Sequence, residues 1–390
     1  MKNSKNILFV HYGDNWIRGS ETCLIHLVAS LDKTKYTPFV WSNCQPLINH
    51  FEEQNVAAIY TPFQLLLGWK APRFNVYQWG VQLKQAMSLI KQHGIDLVHI
   101  NSGAPCQWMC IAAKLCSVPV VTQLHSDYQL RDRFTLGLHL SPNIACVSHD
   151  ISKGLLRDGY PLDKLSVIHN GVVQQRSSNK DVRANLGIPP SSFVFITVGS
   201  LIVRKGVDLI IQSLSRVQKQ RDTHLVIIGD GEDRDNLIAL AEDLGLASNV
   251  HFVGERHDVA DWLCSNVDAF ISGARYEAFG LVLAEAGLAK LPVIAPRVGG
   301  IPEFIHHNRT GLLFDPNNPI DEMYHQMTRL MSDEQLRREL VNQLYHLTHS
   351  KLTVKANTQQ FENLYRRVIR QNESSSLLDG LKPLVRWAFH

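Results

Sequence analysis

Two acidic residues, Glu277 and Glu285, bracket the start of a predicted helix in the second half of the chain. The helix is expected to begin at about 279–280 and to end before Pro292. Apolar residues surround Glu285 on every side of this helix, which is typical of a buried helix. A buried carboxylate is costly without a partner. We therefore interpret Glu285 as an acceptor for the hydroxyl groups of a polar ligand, with an ion-paired or solvated glutamate as the alternative.

Two further features of the second half suit a phosphate group. The amides of Phe279, Gly280 and Leu281 would be exposed at the predicted helix N-terminus, where free N–H groups and the helix dipole attract anions. Arg204 and Lys205 lie together in the loop after the first predicted strand of this half, and adjacent cations beside a glycine suit a diphosphate. The second signal is weak alone, because Arg-Lys-Gly is common on protein surfaces.

Other strand-end loops of the second half contain glycines. Gly229 and Gly231 follow the next predicted strand, but the segment lacks the G-x-G-x-x-G fingerprint of dinucleotide binding, which sets NAD aside. The pair Gly299–Gly300 marks a further place where the main chain can approach a ligand closely.

The first half has two strand ends at which we expect chemistry. The loop after the first predicted strand contains Gly19 and Ser20, and Ser20 is expected to act as a helix N-cap. His125 ends a later strand and precedes Asp127. A histidine beside an aspartate is a candidate acid/base or a binder of sugar hydroxyls. A structural or merely exposed histidine is an equal alternative.

Thirteen short apolar or β-branched segments are predicted as the strands that position these loops. They are residues 6–12, 37–42, 56–60, 96–101, 119–125, 143–148, 164–170, 193–199, 224–231, 250–254, 268–274, 292–296 and 311–315. Helical patterns separate most of them, and several are continuous apolar runs typical of parallel strands covered on both faces. The alternation predicts an α/β fold with two doubly wound, Rossmann-like domains that face each other. A ligand would then lie in the cleft between them, at the carboxyl ends of the strands.

The domain boundaries follow from a change in composition. Residues 173–192 are polar, contain Ser and Pro clusters and interrupt the alternation. We expect an N-terminal Rossmann-like domain at 1–175, a linker at 176–192 and a C-terminal Rossmann-like domain at 193–350. The helical segment 351–390 is expected to pack back toward the N-terminal domain.

Composition and charge exclude several classes of protein. A chain of 390 residues with 45% hydrophobic and 19% charged residues is not mainly disordered. No apolar run approaches the roughly 18 residues of a membrane-spanning helix, and the N-terminus lacks a signal peptide, so we expect a cytoplasmic protein. The net charge of +3 is too small for a nucleic-acid partner. Residues 1–175 contain the excess of positive charge, with 15 basic against 11 acidic side chains.

The seven cysteines do not predict a disulfide framework in a chain without a secretion signal. Cys106, Cys110 and Cys116 lack the spacing of a paired metal site and lie in a predicted apolar helix, so buried free thiols are favoured over a metal. The eighteen histidines show no metal-ligand spacing.

These motifs together resemble glycosyltransferase family 4, whose members are retaining enzymes with the GT-B fold. Glu277 and Glu285, with seven residues between them, match the E-x7-E motif of that family in register. The segment after them resembles the usual continuation, with a helix, a glycine pair and T-G-L-L at 310–313. The similarity extends upstream through HNGV at 169–172 and VGSLIVRKGVDLII at 198–211, so it covers nearly the whole second half and the first half loosely.

The resemblance implies an enzyme that transfers a hexose-type sugar from a nucleotide-diphosphate donor, such as a UDP- or GDP-sugar, to a glycan or lipid-linked acceptor. It places the enzyme in polysaccharide, lipopolysaccharide or other cell-envelope biosynthesis. The catalytic residues it implies are His125, Glu277 and Lys205. The donor-binding residues it implies are Gly19, Arg204, Lys205, Glu277, Ala278, Phe279, Gly280, Leu281 and Glu285. The nucleotide base is expected near Gly229, Gly231, Val253, Glu255 and Arg256.

The chemistry needs no metal or other cofactor if protein cations and helix amides stabilise the departing diphosphate. The sequence departs from the family where an arginine often follows the glycine of the first phosphate loop, because Ser200 stands there. Arg204 is the hypothetical replacement. The first-domain loop has Gly19-Ser20 where a glycine pair is commoner, so a role for Ser20 at the site is open.

Residues 60–80 mix aromatic and aliphatic side chains with Lys70 and Arg73, which suits peripheral contact with the inner membrane surface or a lipid-linked acceptor. Ordinary packing is the alternative. Two other functions remain open for the whole chain. One is a nucleotide-sugar 2-epimerase, which shares the GT-B fold, and the other is a catalytically idle nucleotide-sugar binder.

Overall fold

The computed structural model describes residues 4–67, 74–174 and 180–371. The chain divides into two compact units. The first consists of Met1–Gly171 together with Val354–His390, and the second of Val172–Thr353. The predicted boundaries at 175 and 351 therefore lie within a few residues of the observed crossings between the units.

A seven-stranded parallel sheet forms the centre of the first unit. Its strands are β1 Lys5–His11, β2 Tyr36–Ser42, β3 Ala57–Tyr60, β4 Leu97–Ile100, β5 Val120–Leu124, β6 Ile144–Cys146 and β7 Leu165–Val167. The spatial order is β3-β2-β1-β4-β5-β6-β7. The central strands are buried along nearly their whole length, which explains why their sequences are continuous apolar runs rather than alternating ones.

Helices cover this sheet. They are α1 Gly19–Ser30, α2 Gln45–Glu53, α3 Val76–Gln92, α4 Cys106–Leu115, α5 Leu130–Thr135 and α6 His149–Arg157. The register of β1 against β4 pairs Val10 with Ile100. His11 and Asn101, one residue further along each chain, therefore leave the sheet side by side, and the Asn101 amide donates to the Val10 carbonyl at 2.8 Å.

The second unit is built on a six-stranded parallel sheet. Its strands are β8 Phe193–Val198, β9 Thr223–Ile228, β10 Val250–Phe252, β11 Ala269–Ile271, β12 Val293–Pro296 and β13 Leu312–Phe314. Their order is β10-β9-β8-β11-β12-β13. Its helices are α7 Val182–Leu186, α8 Val207–Val217, α9 Arg234–Asp243, α10 Val259–Leu263, α11 Leu281–Leu288, α12 Pro319–Ser332 and α13 Glu334–Lys351. All thirteen predicted strands are present, and the two Rossmann-like domains are confirmed.

The last described helix, α14 Val354–Arg370, belongs to the first unit. Phe361 and Tyr365 are fully buried in it, and burial of each apolar side chain contributes roughly 2 kcal/mol. The Tyr365 hydroxyl lies 2.6 Å from His99 Nδ1 in β4, and Glu362 accepts a hydrogen bond from the Asp32 amide at 2.9 Å. The chain thus returns to the first sheet after it completes the second.

The described part of the predicted linker is not a free connector. Residues 182–186 form α7, and Val182 is buried. The Arg183 guanidinium donates to the carbonyls of Ser192 and Asn266, each at 2.7 Å, and pairs with Asp268. The polar composition of this segment suggested an unpacked linker. Arg183 nevertheless holds it in place, because its guanidinium donates to several main-chain carbonyls.

Within the ranges that the structure describes, no helix is both long and apolar enough to cross a membrane. Of the predicted membrane segment, residues 68–73 lie outside those ranges, and so do Lys70 and Arg73.

Candidate functional site

The loops at the carboxyl edge of the second sheet cross one another at glycines. A Cβ atom added at Gly206 would lie 1.9 Å from the Gly273 carbonyl oxygen, and one at Gly273 would lie 2.1 Å from that of Gly206. Gly206 also has a φ of +61°, which other residues adopt only with strain. The loop after β8 and the loop after β11 are therefore packed main chain against main chain, and this packing fixes the residues beside them.

Lys205 and Glu277 form an ion pair where these two loops meet. The Lys205 Nζ lies 2.6 Å from Glu277 Oε2, and the two side chains are 22% and 17% exposed. A small pocket opens beside the pair and is lined by Lys205 and Glu277 together with Gly199, Ser272, Gly280 and Val282. The structure thus brings together two of the three predicted catalytic residues around a concave surface in one unit.

Helix α11 begins at Leu281, one or two residues later than predicted. Gly280 precedes it with a φ of +101°, and its carbonyl accepts from the amides of Leu283 and Ala284 at 3.1 and 3.2 Å. The Phe279 side chain is buried and packs against Phe304 with ring centroids 5.1 Å apart and planes tilted by 31°, so it supports the loop rather than facing the pocket. Ala278 lies half-buried between Glu277 and Phe279.

Glu285 lies on α11 among buried apolar residues, as the sequence predicted. Burial raises the pKa of its carboxyl group to about 7. Among the described residues, no side chain donates a hydrogen bond or forms an ion pair with this carboxylate. A carboxylate in this state gains most from a ligand that brings its own hydroxyl donors.

The glycine pair predicted to approach a ligand contacts protein main chain instead. The Gly300 amide donates to the Glu277 carbonyl at 3.0 Å, and a Cβ atom at Gly299 would lie 1.9 Å from that oxygen. Packing against Glu277 thus explains these glycines without a ligand, and a close approach of ligand to this pair stays a prediction. These glycines allow the loop after β12 to hold Glu277 in place.

Arg204 is exposed and lies next to Lys205 on the same loop. Its guanidinium donates to the Tyr276 carbonyl at 3.1 Å, and its own carbonyl accepts from the Arg275 amide at 2.8 Å. Arg275, by contrast, is paired with Asp208 through two hydrogen bonds of 2.8 and 2.6 Å. The Arg204 charge thus stays accessible to a ligand.

The residues predicted for the nucleotide base lie at the ends of the adjacent strands β9 and β10. A Cβ atom at Gly229 would lie 2.0 Å from the Gly199 carbonyl oxygen, and one at Gly231 would lie 2.3 Å from that of Leu201. Glycines are therefore required here by loop packing. Val253, Glu255 and Arg256 follow β10, and the last two are exposed.

In the first unit, His125 follows β5 and is half-buried. Its Nε2 lies 3.1 Å from Asn101 Oδ1, whereas Asp127, its neighbour in the sequence, is exposed. Burial, followed by the neighbouring His11, lowers the pKa of His125 to about 3. The imidazole is therefore neutral near pH 7 and can accept a hydrogen bond.

Gly19 is the first residue of α1, and Arg18 rather than Ser20 occupies the N-cap position. The Ser20 hydroxyl donates to Glu21 Oε2 at 3.1 Å, so the expected N-cap role of Ser20 was wrong. Glu21 is only 4% exposed and pairs with His11 at 2.7 Å.

Sequence reasoning missed His11, Glu21 and Asn101. His11 and Asn101 lie at or beside the carboxyl ends of β1 and β4, and Glu21 lies in the first turn of α1. The available signal was that three adjacent strands each end on a polar residue, but their pairing depends on the strand order, which the sequence alone did not provide.

In the part of the chain described here, no group of three or more His, Cys, Asp or Glu side chains is arranged to hold a metal ion. Cys106 and Cys110 are free and buried, and Cys116 is free and half-buried.

Comparison with known proteins gives consistent matches over both units. The family model described as "Glycosyltransferase Family 4" matches residues 17–176, and the one described as "Glycosyl transferases group 1" matches residues 178–346. The chain is 24% identical to the N-acetyl-alpha-D-glucosaminyl L-malate synthase of Bacillus anthracis over 323 residues, which are 78% of this chain and 84% of that protein. It is 30% identical to an uncharacterised glycosyltransferase of Methanocaldococcus jannaschii over 272 residues, which are 66% and 71% of the two chains.

The fold also matches solved structures. The Anabaena HepE protein, solved in complex with UDP-glucose, superposes with a TM-score of 0.78 at 21% identity, over 93% of this chain and 99% of that one. At this level of identity the likeness shows the architecture alone. The structural neighbours are GT-B glycosyltransferases, which confirms the predicted fold class.

Proposed function

Because the chain belongs to glycosyltransferase family 4 and has the GT-B architecture, we propose that it transfers a sugar from a nucleotide-diphosphate donor to a hydroxyl acceptor with retention of the anomeric configuration. The observation that carries the proposal is the pairing of Lys205 with Glu277 beside the start of α11. The UDP-glucose complex of HepE supports a nucleotide-sugar donor.

The donor diphosphate would lie against Lys205, Arg204 and the first amides of α11. Departure of a nucleoside diphosphate creates negative charge, and fixed donors in a partly desolvated pocket stabilise that charge where it develops. Phosphate oxygens would compete with Glu277 for the Lys205 ammonium, which would free the Glu277 carboxylate for the hydroxyls of the donor sugar. The ion pair is thus a preformed site with exchangeable partners.

Glu285 would accept the ribose hydroxyls of the donor. Two hydroxyl donors would supply the hydrogen bonds that its carboxylate lacks in the described chain, and they would also favour its charged form. His125 and Gly19 would contact the donor from the first unit. We further propose that turnover needs no metal ion, because cations and helix amides of the protein neutralise the leaving group.

Thermal-shift measurements with UDP, GDP and ADP and their sugars test donor binding. A ligand at 100 times its Kd should stabilise the protein by about 2.7 kcal/mol. Donor hydrolysis or transfer followed by NMR of the released sugar then reports the anomeric outcome, and the same assay with EDTA tests the metal. Absence of any nucleotide shift, an inverted product or an epimerised donor would overturn the corresponding part of the proposal.

Arg204→Ala tests whether Arg204 replaces the arginine missing at Ser200. We expect a several-fold rise in the donor KM with little change in kcat, because the guanidinium is exposed and its interaction with phosphate is screened. Lys219→Ala, on an exposed residue of the same unit, is the control. Equal KM values for the two variants would remove Arg204 from the phosphate site.

We propose a glycan or lipid-linked acceptor at the cytoplasmic face of the inner membrane. The support is an exposed apolar face at the start of α3: Phe74 and Tyr77 are 70% and 78% exposed, and Val81 continues the face one turn later with Lys84 beyond it. Aromatic side chains with nearby cations suit a headgroup interface. The net positive charge of residues 1–175 has the sign that anionic lipid attracts.

Flotation with liposomes tests the membrane contact. Wild type should float with vesicles that contain anionic lipid, and the double variant Phe74→Ser/Tyr77→Ser should float less without loss of donor hydrolysis. The Bacillus anthracis relative is named for a soluble acceptor, L-malate. No flotation, together with efficient transfer to a small hydroxy acid, would therefore replace the lipid-linked acceptor with a soluble one.

A further inference from the structure

Four polar side chains of the first unit form a continuous chain of hydrogen bonds, and three of them have no role in the function proposed above. His11 Nε2 lies 2.7 Å from Glu21 Oε1. On the other side of the ring, Asn101 Nδ2 lies 3.1 Å from His11 Nδ1. Asn101 Oδ1 lies 3.1 Å from His125 Nε2. The chain therefore runs from a buried carboxylate to the predicted catalytic histidine.

The Ser20 carbonyl fixes the direction of these bonds. It lies 3.2 Å from one end of the Asn101 amide, and a carbonyl oxygen only accepts, so that end is the NH₂ group. The amide oxygen then faces His125, and because this oxygen also only accepts, His125 must hold its proton on Nε2. One amide hydrogen serves Ser20 and the other serves His11 Nδ1.

The carboxylate sets the other end of the chain. Burial alone would raise the pKa of Glu21, but the hydrogen bond from His11 and those from main-chain amides lower it to about 2. Ionised Glu21 accepts, so His11 donates from Nε2 and keeps Nδ1 as an acceptor for Asn101. His11 Nδ1 also lies 3.3 Å from the main-chain carbonyl oxygen of Asn101, which is farther than the 3.1 Å to the side-chain NH₂ group of Asn101.

Every bond in the chain is thus directed toward Glu21. We propose that Glu21, His11 and Asn101 are positioning residues that hold His125 as its Nε2–H tautomer, so that the unprotonated Nδ1 is the atom offered to a hydroxyl group of the sugar substrate. The proposal rests on the function proposed above for its substrate class. Within the described residues, no protein group is hydrogen-bonded to His125 Nδ1.

The same carboxylate ties the glycine loop to the histidine. Glu21 Oε2 accepts from the Arg18 amide at 3.0 Å and from the Ser20 hydroxyl at 3.1 Å. The Arg18–Ser20 segment at the start of α1, which contains Gly19, therefore shares its anchor with the hydrogen-bond chain that ends at His125. Two predicted ligand-binding elements are held by one network, and a change at Glu21 must affect both.

The glycine at position 13 is consistent with this network. A Cβ atom there would lie 2.6 Å from both His11 Nε2 and Glu21 Oε1, so any side chain would displace the pair. The Asn43 side chain holds Gly13 in this position, with its amide donating to the Gly13 carbonyl at 2.8 Å and its oxygen accepting from the Gly13 amide at 3.1 Å.

The tautomer is measured directly by NMR of the full chain labelled with ¹⁵N-histidine, with the His125 signals assigned from their loss in His125→Gln. We expect wild type to show a protonated Nε2 and an unprotonated Nδ1 on His125 at pH 7.5. Asn101→Leu should give a mixture of the two tautomers, because the acceptor is lost. A protonated Nδ1 in wild type, or an unchanged tautomer in Asn101→Leu, would overturn the proposal.

Asn6→Asp is the matched control for the loss of a buried amide. Asn6 is 3% exposed, lies at the opposite end of the same sheet and donates to the His93 and Gly94 carbonyls at 2.7 and 3.2 Å. Its substitution should lower Tm but leave the His125 tautomer as in wild type. This control separates general destabilisation of the first unit from a specific effect on His125.

Kinetics give a second, independent measurement. Asn101→Leu should lower kcat/KM for the donor roughly tenfold, the size of effect expected for one lost hydrogen bond in a polar network. Asn101→Asp keeps an acceptor toward His125 but adds a negative charge beside it, which favours the protonated imidazole. An acidic limb should then appear in its pH profile at least one pH unit above that of wild type.

A purely structural role predicts a different result. In that case both Asn101 variants would resemble Asn6→Asp, with a lower Tm, an unchanged tautomer and an unchanged pH profile. If wild type itself turns over no nucleotide sugar, the proposed function fails, but the NMR experiment still decides the tautomer. The two failures are therefore distinguishable.

Discussion

Two carboxylates, the buried Glu21 in the first unit and the half-buried Glu285 in the second, differ in almost every physical respect. Glu21 accepts hydrogen bonds from His11, the Arg18 amide and Ser20, and its pKa is lowered to about 2. Glu285 lies among apolar residues without a side-chain donor in the described chain, and its pKa is raised to about 7. A satisfied carboxylate stabilises the fold, whereas an unsatisfied one lowers stability and gains from a ligand.

The loops around the two residues are held in correspondingly different ways. Side-chain hydrogen bonds hold the glycine loop of the first unit. Main-chain contacts at glycines hold the loops of the second, which leaves the charged side chains of Lys205, Glu277 and Arg204 free to exchange partners. The glycine segment of the first unit is therefore preorganised by its own polar groups. The loops of the second unit instead form a rigid main-chain frame around charged side chains that a ligand can bind.

The largest effect is expected from Lys205→Ala, which removes a side chain of the second unit that can exchange its partner for a ligand. Loss of a cation that stabilises the leaving diphosphate should lower kcat by about 10²–10³-fold. Tm should change little, because the ion pair with Glu277 is partly exposed. Donor turnover and thermal melts of the variant, with Lys219→Ala as control, measure both. A large loss of Tm with unchanged turnover would show that the pair is structural.

Glu21→Ala should instead act mainly on stability. It leaves the donors of His11, Arg18 and Ser20 without their buried acceptor, which should cost about 3 kcal/mol. Denaturant unfolding at pH 7 measures this loss against Glu52→Ala, an exposed residue of α2 that should fall within about 0.5 kcal/mol of wild type. Equal stability of the two variants would refute the description of Glu21 as a satisfied structural carboxylate.

Gly206→Ala tests the main-chain frame of the second unit. Its Cβ atom would overlap the Gly273 carbonyl, whereas Gly245 has a similar φ of +69° and nothing within 4 Å. Gly245→Ala should cost about 1 kcal/mol through strain alone, and Gly206→Ala about 2 kcal/mol more through the clash. The difference in unfolding free energy between the two variants is the measurement. If the two costs are the same, close loop packing does not hold the site.

Glu285→Gln should reveal a smaller, pH-dependent effect. Because the folded pKa is raised to about 7, the favourable neutral form is fully present below the unfolded value of 4.5 and is lost as pH rises through 7. The amide of the substituted side chain cannot ionise, so the variant should be more stable than wild type at pH 8 by about 2 kcal/mol after allowance for partial exposure, and nearly equal at pH 5.

Thermal melts of wild type and Glu285→Gln at both pH values test this. The contribution of Glu21 to the free energy of unfolding has the opposite pH dependence: it is present above about pH 4.5 and is lost as the pH falls through about 2. A Glu285→Gln variant that is less stable than wild type at pH 8 would show that the Glu285 carboxylate has a hydrogen-bond partner, as Glu21 does. The variant should also lose part of its thermal shift with a nucleotide donor.

Much of the second site could be predicted from the sequence, because its residues lie close together along the chain. Glu277, Gly280 and Glu285 fall within one strand–loop–helix segment, and the apolar surroundings of Glu285 are visible in the sequence. The purpose of Gly299–Gly300 was not predictable, since the contact with the Glu277 carbonyl joins loops that follow different strands.

The network of the first unit depends on the tertiary structure. His11, Asn101 and His125 are far apart in sequence, and only the order β1-β4-β5 makes their strand ends neighbours. The sequence showed only that Asp127 follows His125 closely along the chain, whereas the sheet places Asn101 at hydrogen-bond distance from it. The return of α14 to the first unit is a partial exception, since the prediction that residues 351–390 pack back toward the N-terminal domain is consistent with the observed division.

The amino-acid sequence by itself determined the two parallel α/β domains, the thirteen strands and the family, because alternating apolar segments and a local motif are properties of short stretches of chain. The tertiary structure decided which carboxylate is satisfied, which histidine nitrogen holds a proton and which glycines serve packing. The physical reason is that hydrogen-bond satisfaction and burial depend on groups that the sequence separates by tens of residues and that the sheet order brings to within about 3 Å of one another.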